Sequence, residues 1–244
     1  MRRPTKNAIL DSLPPEEFEQ VAAKISSDDL PREQVLHRCG ERIEAIYFVT
    51  EGLVPVIDSM RDGLGVEISL IGCEGIAGIQ AFLGNEIASY HTRVQIPGKA
   101  YTLKTRDALR AFDACPSFRK IVLRYAHSVL AHAAKSASCN RLHEVEQRLA
   151  RSLLIISDRL GSKEFYLTHK YLALMLGTRR TTLTLAARSL QDGGAIKYSR
   201  GNIRILNRQK LRKSACECYR ALSGEMRRFL HFAFPTRSAP SRRA

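Results

Sequence analysis

Within LTHKYLALMLGTRRTTLTLAARSLQDGGAIKYSRGNIRIL, residues 167 to 206, Leu172, Ala173 and Leu176 recur at helical spacing. The pattern stops at Gly177 and resumes with Leu183, Ala187 and Leu190. Two short helices joined by a tight turn satisfy this. Gly177 stands where a chain leaving one helix for another at a steep angle needs positive φ, and Ala173 is small where the two backbones would cross. This is helix-turn-helix spacing. Thr178 is placed to cap the second helix, whose first turns are crowded with Arg179, Arg180, Thr181, Thr182 and Thr184. Gly193-Gly194 ends that helix. Ile196 and Tyr198, then Ile203 and Ile205, alternate on either side of Ser199-Arg200-Gly201-Asn202, which predicts a β-hairpin with a basic tip, a wing.

Charge gives this unit a partner. Residues 168 to 213 carry eleven Lys or Arg against one acid, Asp192, a net +10 of the chain's +15. A one-sign patch repels itself until a polyanion completes it, and the polyanion that fits a helix-turn-helix with a wing is duplex DNA. The candidate contacts are Thr168, Arg179, Arg180, Thr181, Thr182, Thr184, Arg188 and Arg200. Arg180, near the end of the helix that reads bases, is expected to hold a guanine edge. Arg179, Thr182 and Arg188 are expected on phosphate.

The 244 residues suit about two domains, and 44% apolar with 26% charged residues is ordinary globular composition. No run of about 18 apolar residues is present, so no membrane partner is expected. The start, MRRPTKNAILDSL, lacks the apolar block of a secretory signal, and the expected location is the cytoplasm. There the six cysteines would stay reduced. Only Cys216-Glu217-Cys218 brings two together. Read as helical, residues two apart diverge, so the pair is a poor chelate and buried thiols are expected instead. The histidines lack His-x-His or His-x-x-x-His spacing, so neither a metal site nor a cofactor is expected.

Upstream the texture changes twice. Residues 12 to 26 predict an amphipathic helix with Phe18, Val21 and Ile25 on one face. Residues 35 to 105 hold nine of the fifteen glycines, punctuating the runs IYFV, LVPVI, VEISLI and AYTL, and predict a β-roll or barrel-like sandwich. From Pro116 to about residue 136 the period is helical. Leu123, Ala126, Leu130, Ala133 and Ala137 form a coiled-coil seam, while Phe118, Val122, Tyr125 and Val129 form a second apolar face. Two faces call for two partners: the chain's own β-roll and the same helix of a second subunit. The alternative is burial wholly within one chain. Ser138-Cys139-Asn140 breaks the pattern and predicts a hinge. Val145, Leu149, Leu153, Ile156 and Leu160 then predict a helix ending at Gly161, and Tyr219, Leu222, Met226 and Phe229 a last one. The tail from Pro235, with Arg237, Arg242 and Arg243, is expected to be disordered. The expected fold is α+β, with a β-roll over 12–115, a dimerisation helix over 116–138, a winged helix-turn-helix over 139–212, and a terminal helix and basic tail over 213–244.

This order resembles the Crp/Fnr family of bacterial transcription regulators, in architecture over residues 15 to 212 and most specifically over 167 to 206. The runs CNRLHEVEQRLARSLL and CECYR look like a subgroup frequent in rhizobia-like bacteria. The resemblance implies a jelly roll like a cyclic-nucleotide-binding domain and a homodimer on a palindromic operator. There are departures. In cyclic-AMP-responsive members the recognition helix uses an Arg-Glu pair and a further Arg four residues beyond the Glu. Arg180, Thr181 and Leu185 stand at those positions here, so only the first contact transfers. Nucleotide-binding members hold the ribose with a Gly-Glu pair and the phosphate with an Arg-Ser/Thr-Ala run. Ala77-Gly78-Ile79 and Ala88-Ser89-Tyr90 stand there instead. Gly75, Ala77, Gly78, Ser89 and Tyr90 would therefore line a degenerate effector pocket. A buried phosphate without a cation loses its charge-assisted bonds, so cyclic nucleotide is not expected to bind. Arg93 lies several residues too far along its strand to substitute simply. The first cysteines, Cys39 and Cys73, do not make the N-terminal cluster of the iron-sulfur members, and His37 and His91 are lone candidates for haem.

The expected function is a DNA-binding regulator, not an enzyme, with double-stranded DNA, a second copy and RNA polymerase as partners and an effector the sequence does not name. The competing readings are a cupin-like metal-binding β-roll, or a redox- or haem-sensing one, fused to a DNA-binding domain, and an RNA-binding protein.

Overall fold

The computed structural model describes residues 5–59 and 65–233. The disordered tail expected from Pro235 lies outside the described residues. Helices α1 (Ala8–Asp11) and α2 (Pro15–Ala22) lead into strands β1 (Ser26–Leu30), β2 (Val35–His37), β3 (Ala45–Ser59), β4 (Gly65–Ile71), β5 (Ile76–Ala77), β6 (His91–Arg93) and β7 (Ile96–Lys104). Asn7 starts this arrangement. Its side-chain oxygen accepts from the amides of Ile9 and Leu10, and its amide nitrogen donates to the carbonyls of Val49 and Gly75. The N-terminus is thereby pinned to the sheet.

The strands pair antiparallel in the order β1-β7-β3-β6-β2, with β4 and β5 also on β3. The runs IYFV and LVPVI, which read as two short strands, belong to the single fifteen-residue β3. Its register with β7 shifts between Val49 and Leu53, around Gly52. A Cβ on Gly52 would lie 2.5 Å from the Ile96 carbonyl oxygen, and one on Gly98 would lie 2.0 Å from that of Glu51, so two glycines let the bulge close. Beyond the bulge β3 pairs with β4 and β6. One strand thus serves both faces of the roll.

Helices α3 (Thr105–Ala114), unanticipated from sequence, and α4 (Pro116–Leu142) follow. Phe118, Val122 and Tyr125 of α4 are buried, and Val129 packs beside them, in one core with Phe48, Ile76 and Phe82 of the roll. The hinge expected at Ser138-Cys139-Asn140 is a correction. The helix runs through it to Leu142 and ends on the extended His143. The polar break reflects a change of packing partner rather than of backbone: Cys139 is fully buried, and the Ser138 hydroxyl donates to the Ala134 carbonyl 3.3 Å away. The turn falls instead at His143-Glu144, where a reciprocal capping box between Glu144 and Gln147 starts α5 (Val145–Leu160).

After α5 come β8 (Glu164–Tyr166), α6 (His169–Met175), α7 (Arg180–Asp192), β9 (Ile196–Ser199), β10 (Asn202–Ile205), α8 (Arg208–Ser214) and α9 (Cys218–Ala233). Their core is built on Leu149, Leu153, Leu172, Leu183, Leu190, Ile196 and Ile203, and Leu53 and Leu70 of the roll enter it. Polar contacts knit the same joint. Arg159 pairs with Glu74 at 3.0 Å with both side chains largely buried, and the Tyr171 hydroxyl donates to Glu67 at 2.9 Å. The last helix returns along α4, with the Tyr125 and Phe229 rings 5.6 Å apart. Among the described residues no helix is long and apolar enough to cross a membrane.

Candidate nucleic-acid interface

Thr168 caps α6 by accepting from the Tyr171 amide at 3.2 Å. Gly177 adopts φ +56°, the left-handed geometry the turn demands. The expected cap of α7 is corrected by one residue: Arg179 is the N-cap, without a side-chain bond, and the Thr178 amide closes the turn on the Ala173 carbonyl. Leu183, Ala186, Ala187 and Leu190 bury one face of α7. The opposite face presents Arg180, Thr181, Thr182, Thr184, Leu185 and Arg188 to solvent, with Arg179 beside them.

The hairpin forms as expected. Ser199 faces Asn202 across a two-residue loop in which Arg200 (φ +48°) and Gly201 (φ +90°) both take positive φ, the type I′ geometry that matches strand twist. β8 adds a third strand beside β10. Of the basic side chains, Arg188 lies 3.7 Å from Asp192 and Arg204 2.9 Å from Glu164. Among the described residues, Arg179, Arg180, Lys197 and Arg200 have no such acidic partner, so their charge faces outward uncompensated.

Sequence reasoning missed two residues in this surface. The Thr184 hydroxyl donates to the Arg180 carbonyl at 2.9 Å and lies 3.2 Å from His169 Nδ1, and the His169 ring stacks on Tyr198 with centroids 4.2 Å apart. Burial and the nearby Arg180 charge hold the His169 pKa below its ordinary value, so the ring adds shape rather than charge. His169 and Tyr198 thereby tie the wing to the start of α6 and to the reading helix. Strand alternation alone gives Tyr198 only an inward face.

The other candidate groups fall as follows. On α4, Leu123 and Leu130 are 45% and 69% exposed, Ala126 and Ala133 are half-buried, and Ala137 is exposed: an apolar stripe left uncovered among the described residues. In the roll, Gly75 and Ala77 are buried, and a Cβ on Gly75 would lie 2.1 Å from the Tyr125 hydroxyl of α4. Gly78 starts a short 3-10 helix, Ile79–Leu83. Ser89 is exposed and donates its amide to Gln80 at 3.1 Å, Tyr90 is half-buried, and Arg93 is paired with Glu33 at 2.9 Å. His37 is buried with Nε2 2.8 Å from the Ala45 carbonyl, and His91 accepts from the Cys39 amide at 3.3 Å.

The premise that Cys216 and Cys218 diverge on a helix is a correction. They lie where α8 turns into α9, and their sulfurs meet those of Cys139 and the ring of His143 at the end of α4.

The comparisons with known proteins agree with this architecture. A model of the Crp-like helix-turn-helix domain matches residues 147–214, and a model of the cyclic nucleotide-binding domain matches residues 28–115. Comparison with curated proteins finds no match. Among solved structures, FixK2 from Bradyrhizobium japonicum is similar with a TM-score of 0.70 at 17% identity, over 79% of this chain and 98% of that one. A CRP/FNR-family transcriptional regulator from Thermus thermophilus gives 0.64 at 22% identity over 78% and 98%. The c-di-GMP responsive global regulator CLP of Xanthomonas campestris gives 0.63 at 16% over 79% and 99%. With a roll of the cyclic nucleotide-binding type, a long helix and a Crp-like winged helix-turn-helix in that order, the chain has the fold of the Crp/Fnr-family transcriptional regulators.

Proposed function

We propose that the chain regulates transcription as a homodimer that binds a palindromic operator in duplex DNA, and that it is not an enzyme. The outward face of α7 carries the reading. Arg180, Thr181, Thr182 and Thr184 present donors and acceptors at the end of a helix that enters a major groove, and Arg200 at the wing tip reaches the flanking backbone. The uncovered stripe Leu123, Ala126, Leu130, Ala133 and Ala137 supports a second copy along α4, which sets two half-sites about one DNA turn apart. RNA polymerase is the further partner of such a regulator. Selection of bound sequences from a random duplex library tests this: a two-fold motif supports the reading, and no enrichment over single-stranded RNA at matched salt overturns it.

The roll, on this reading, does not take a cyclic nucleotide. Ala77 and Gly78 offer no carboxylate to a ribose, Ser89 and Tyr90 offer no cation to a phosphate, and Arg93 is already paired with Glu33. Cyclic AMP and cyclic GMP are expected to give no saturable heat in titration calorimetry and no change in operator affinity. Micromolar binding of either sinks this part.

A further inference from the structure

Four side chains from two distant segments converge where the long helix meets the C-terminal one. Cys139 and His143 are four residues apart at the end of α4 and so share a face, and Cys216 and Cys218 flank one residue in the turn between α8 and α9. One ligand atom from each lies within 4.8 Å of every other. The Cys139 and Cys216 sulfurs are 3.5 Å apart, and the Cys218 sulfur is 3.8 Å from His143 Nδ1. A tetrahedral ion with bonds of about 2.3 Å to sulfur has edges of about 3.8 Å, so these separations are those of ligands around one centre. Two- and four-iron clusters interpose irons and sulfides and spread their ligands more widely. We propose that Cys139, His143, Cys216 and Cys218 bind a single zinc ion, a structural site that staples the end of α4 to the start of α9.

Two surrounding features point the same way. His143 turns Nδ1 toward Cys218, and its Nε2 is 3.1 Å from the Glu217 carboxylate. A metal-bound imidazole is held in this manner, with its second nitrogen donating to a carboxylate that fixes the ring. The other feature is charge. Arg148 and Arg151 are buried, 7% and 6% exposed, and among the described residues neither has an ion-pair partner; Arg148 Nε and Arg151 Nε and Nη1 have no hydrogen-bond partner. Both guanidiniums act on this thiol cluster electrostatically. Zinc displaces three thiol protons to solvent, and three thiolates, one neutral imidazole and Zn²⁺ leave a net charge of −1. That charge is opposite in sign to the two buried guanidiniums, which have no ion-pair partner among the described residues. The site is closed, with four protein ligands and three of them buried, so it holds structure and leaves no open position for a reacting group.

The test uses the full chain and does not depend on its binding DNA. Protein purified under reducing conditions is expected to carry about one zinc per chain by elemental mass spectrometry. After stripping with a chelator, Co²⁺ should restore a near-ultraviolet thiolate-to-metal band and the visible bands of tetrahedral cobalt, reversed by zinc. Cys216→Ser and His143→Ala should abolish stoichiometric binding, Glu217→Gln should weaken it by about 10-fold, and Cys39→Ser and Cys115→Ser should leave it unchanged. The cobalt titration of the unmutated protein keeps the test independent of variants that fail to fold. Reduced protein that holds no metal and gives no cobalt bands overturns the proposal.

Discussion

Arg180 and Arg200 carry the same charge but stand at different places on the proposed interface, which separates reading from holding. Arg180 opens the exposed face of α7, beside Thr181 and Thr184, whereas Arg200 occupies a two-residue turn at the end of a hairpin. A base-edge contact discriminates by about 1–3 kcal/mol at one base pair, while each phosphate contact adds roughly −0.9 to the slope of log K against log salt. Arg180→Ala is expected to relax preference at one position per half-site. Arg200→Ala should weaken all duplexes alike and shallow the slope by about one unit per half-site. Fluorescence anisotropy on operator and scrambled duplexes across a salt series decides: equal losses with base preference intact in Arg180→Ala would remove it from the reading role. The positions of these residues are legible because charge and helical period are local signals. The His169–Tyr198 stack is not, because it joins two elements whose relative placement the period does not encode. The same limit hides the Cys139, His143, Cys216 and Cys218 cluster, whose two halves are more than seventy residues apart in sequence. Gly75 has a packing role that spacing does not show. It stands at the expected pocket, yet its α-carbon lies against the Tyr125 ring, so Gly75→Ala must displace a fully buried aromatic. A loss of about 1–3 kcal/mol in denaturant unfolding is expected, and an unchanged midpoint would show that the ring yields freely.

Among the elements, α4 is the most legible in sequence and still deceives at its end. Its two apolar faces follow from spacing alone, and one of them packs on the roll as spacing predicts. Spacing does not show that α9 also lies along it, because the amphipathic period of α9 marks an apolar face without naming its partner. The expected hinge falls too early for a related reason: Ser138, Cys139 and Asn140 look like a break only if buried residues must be aliphatic, and Cys139 is as buried as any leucine. Likewise β3 reads as two strands because Gly52 interrupts its alternation, when the glycine is what allows one strand to bend. The remaining uncovered face gives the test for this element. Leu130 is the most exposed leucine of the stripe, and Leu130→Glu would set two carboxylates against each other in an apolar seam while disturbing little within one chain. Sedimentation should show monomers, with operator affinity reduced and secondary structure retained. A variant that still sediments as a dimer places the second copy on another surface.

At the scale of the molecule, the roll and the DNA-binding unit share a core and are joined by ionisable groups, so their docking should respond to pH. Glu67 on β4 accepts from Tyr171 on α6 and faces Arg151 and Arg159 on α5. Desolvation outweighs the hydroxyl and the two guanidiniums, and its carboxyl is pushed up from 4.5 to about 7. His132 on α4, facing the same arginines, is driven by burial down to about 3. The two act in opposite senses. Between about 4.5 and 7 the folded chain keeps the Glu67 proton that the unfolded chain has lost, so the stability it gives is complete at low pH and is lost as pH rises through that window. Between 6.5 and about 3 the unfolded chain takes up a proton on His132 that the folded chain refuses, so this contribution is lost as pH falls. Each group contributes a slope of at most about 1.4 kcal/mol per pH unit. A glutamine at position 67 can still accept from Tyr171 but cannot ionise, which isolates one arm. In thermal melts of the two proteins from about pH 5 to 8.5, Glu67→Gln is expected to gain on the unmutated chain as pH rises toward 7 and then to hold a constant margin. Parallel profiles across that range would mean that Glu67 titrates near its ordinary value and that the joint between roll and DNA-binding unit is open to water.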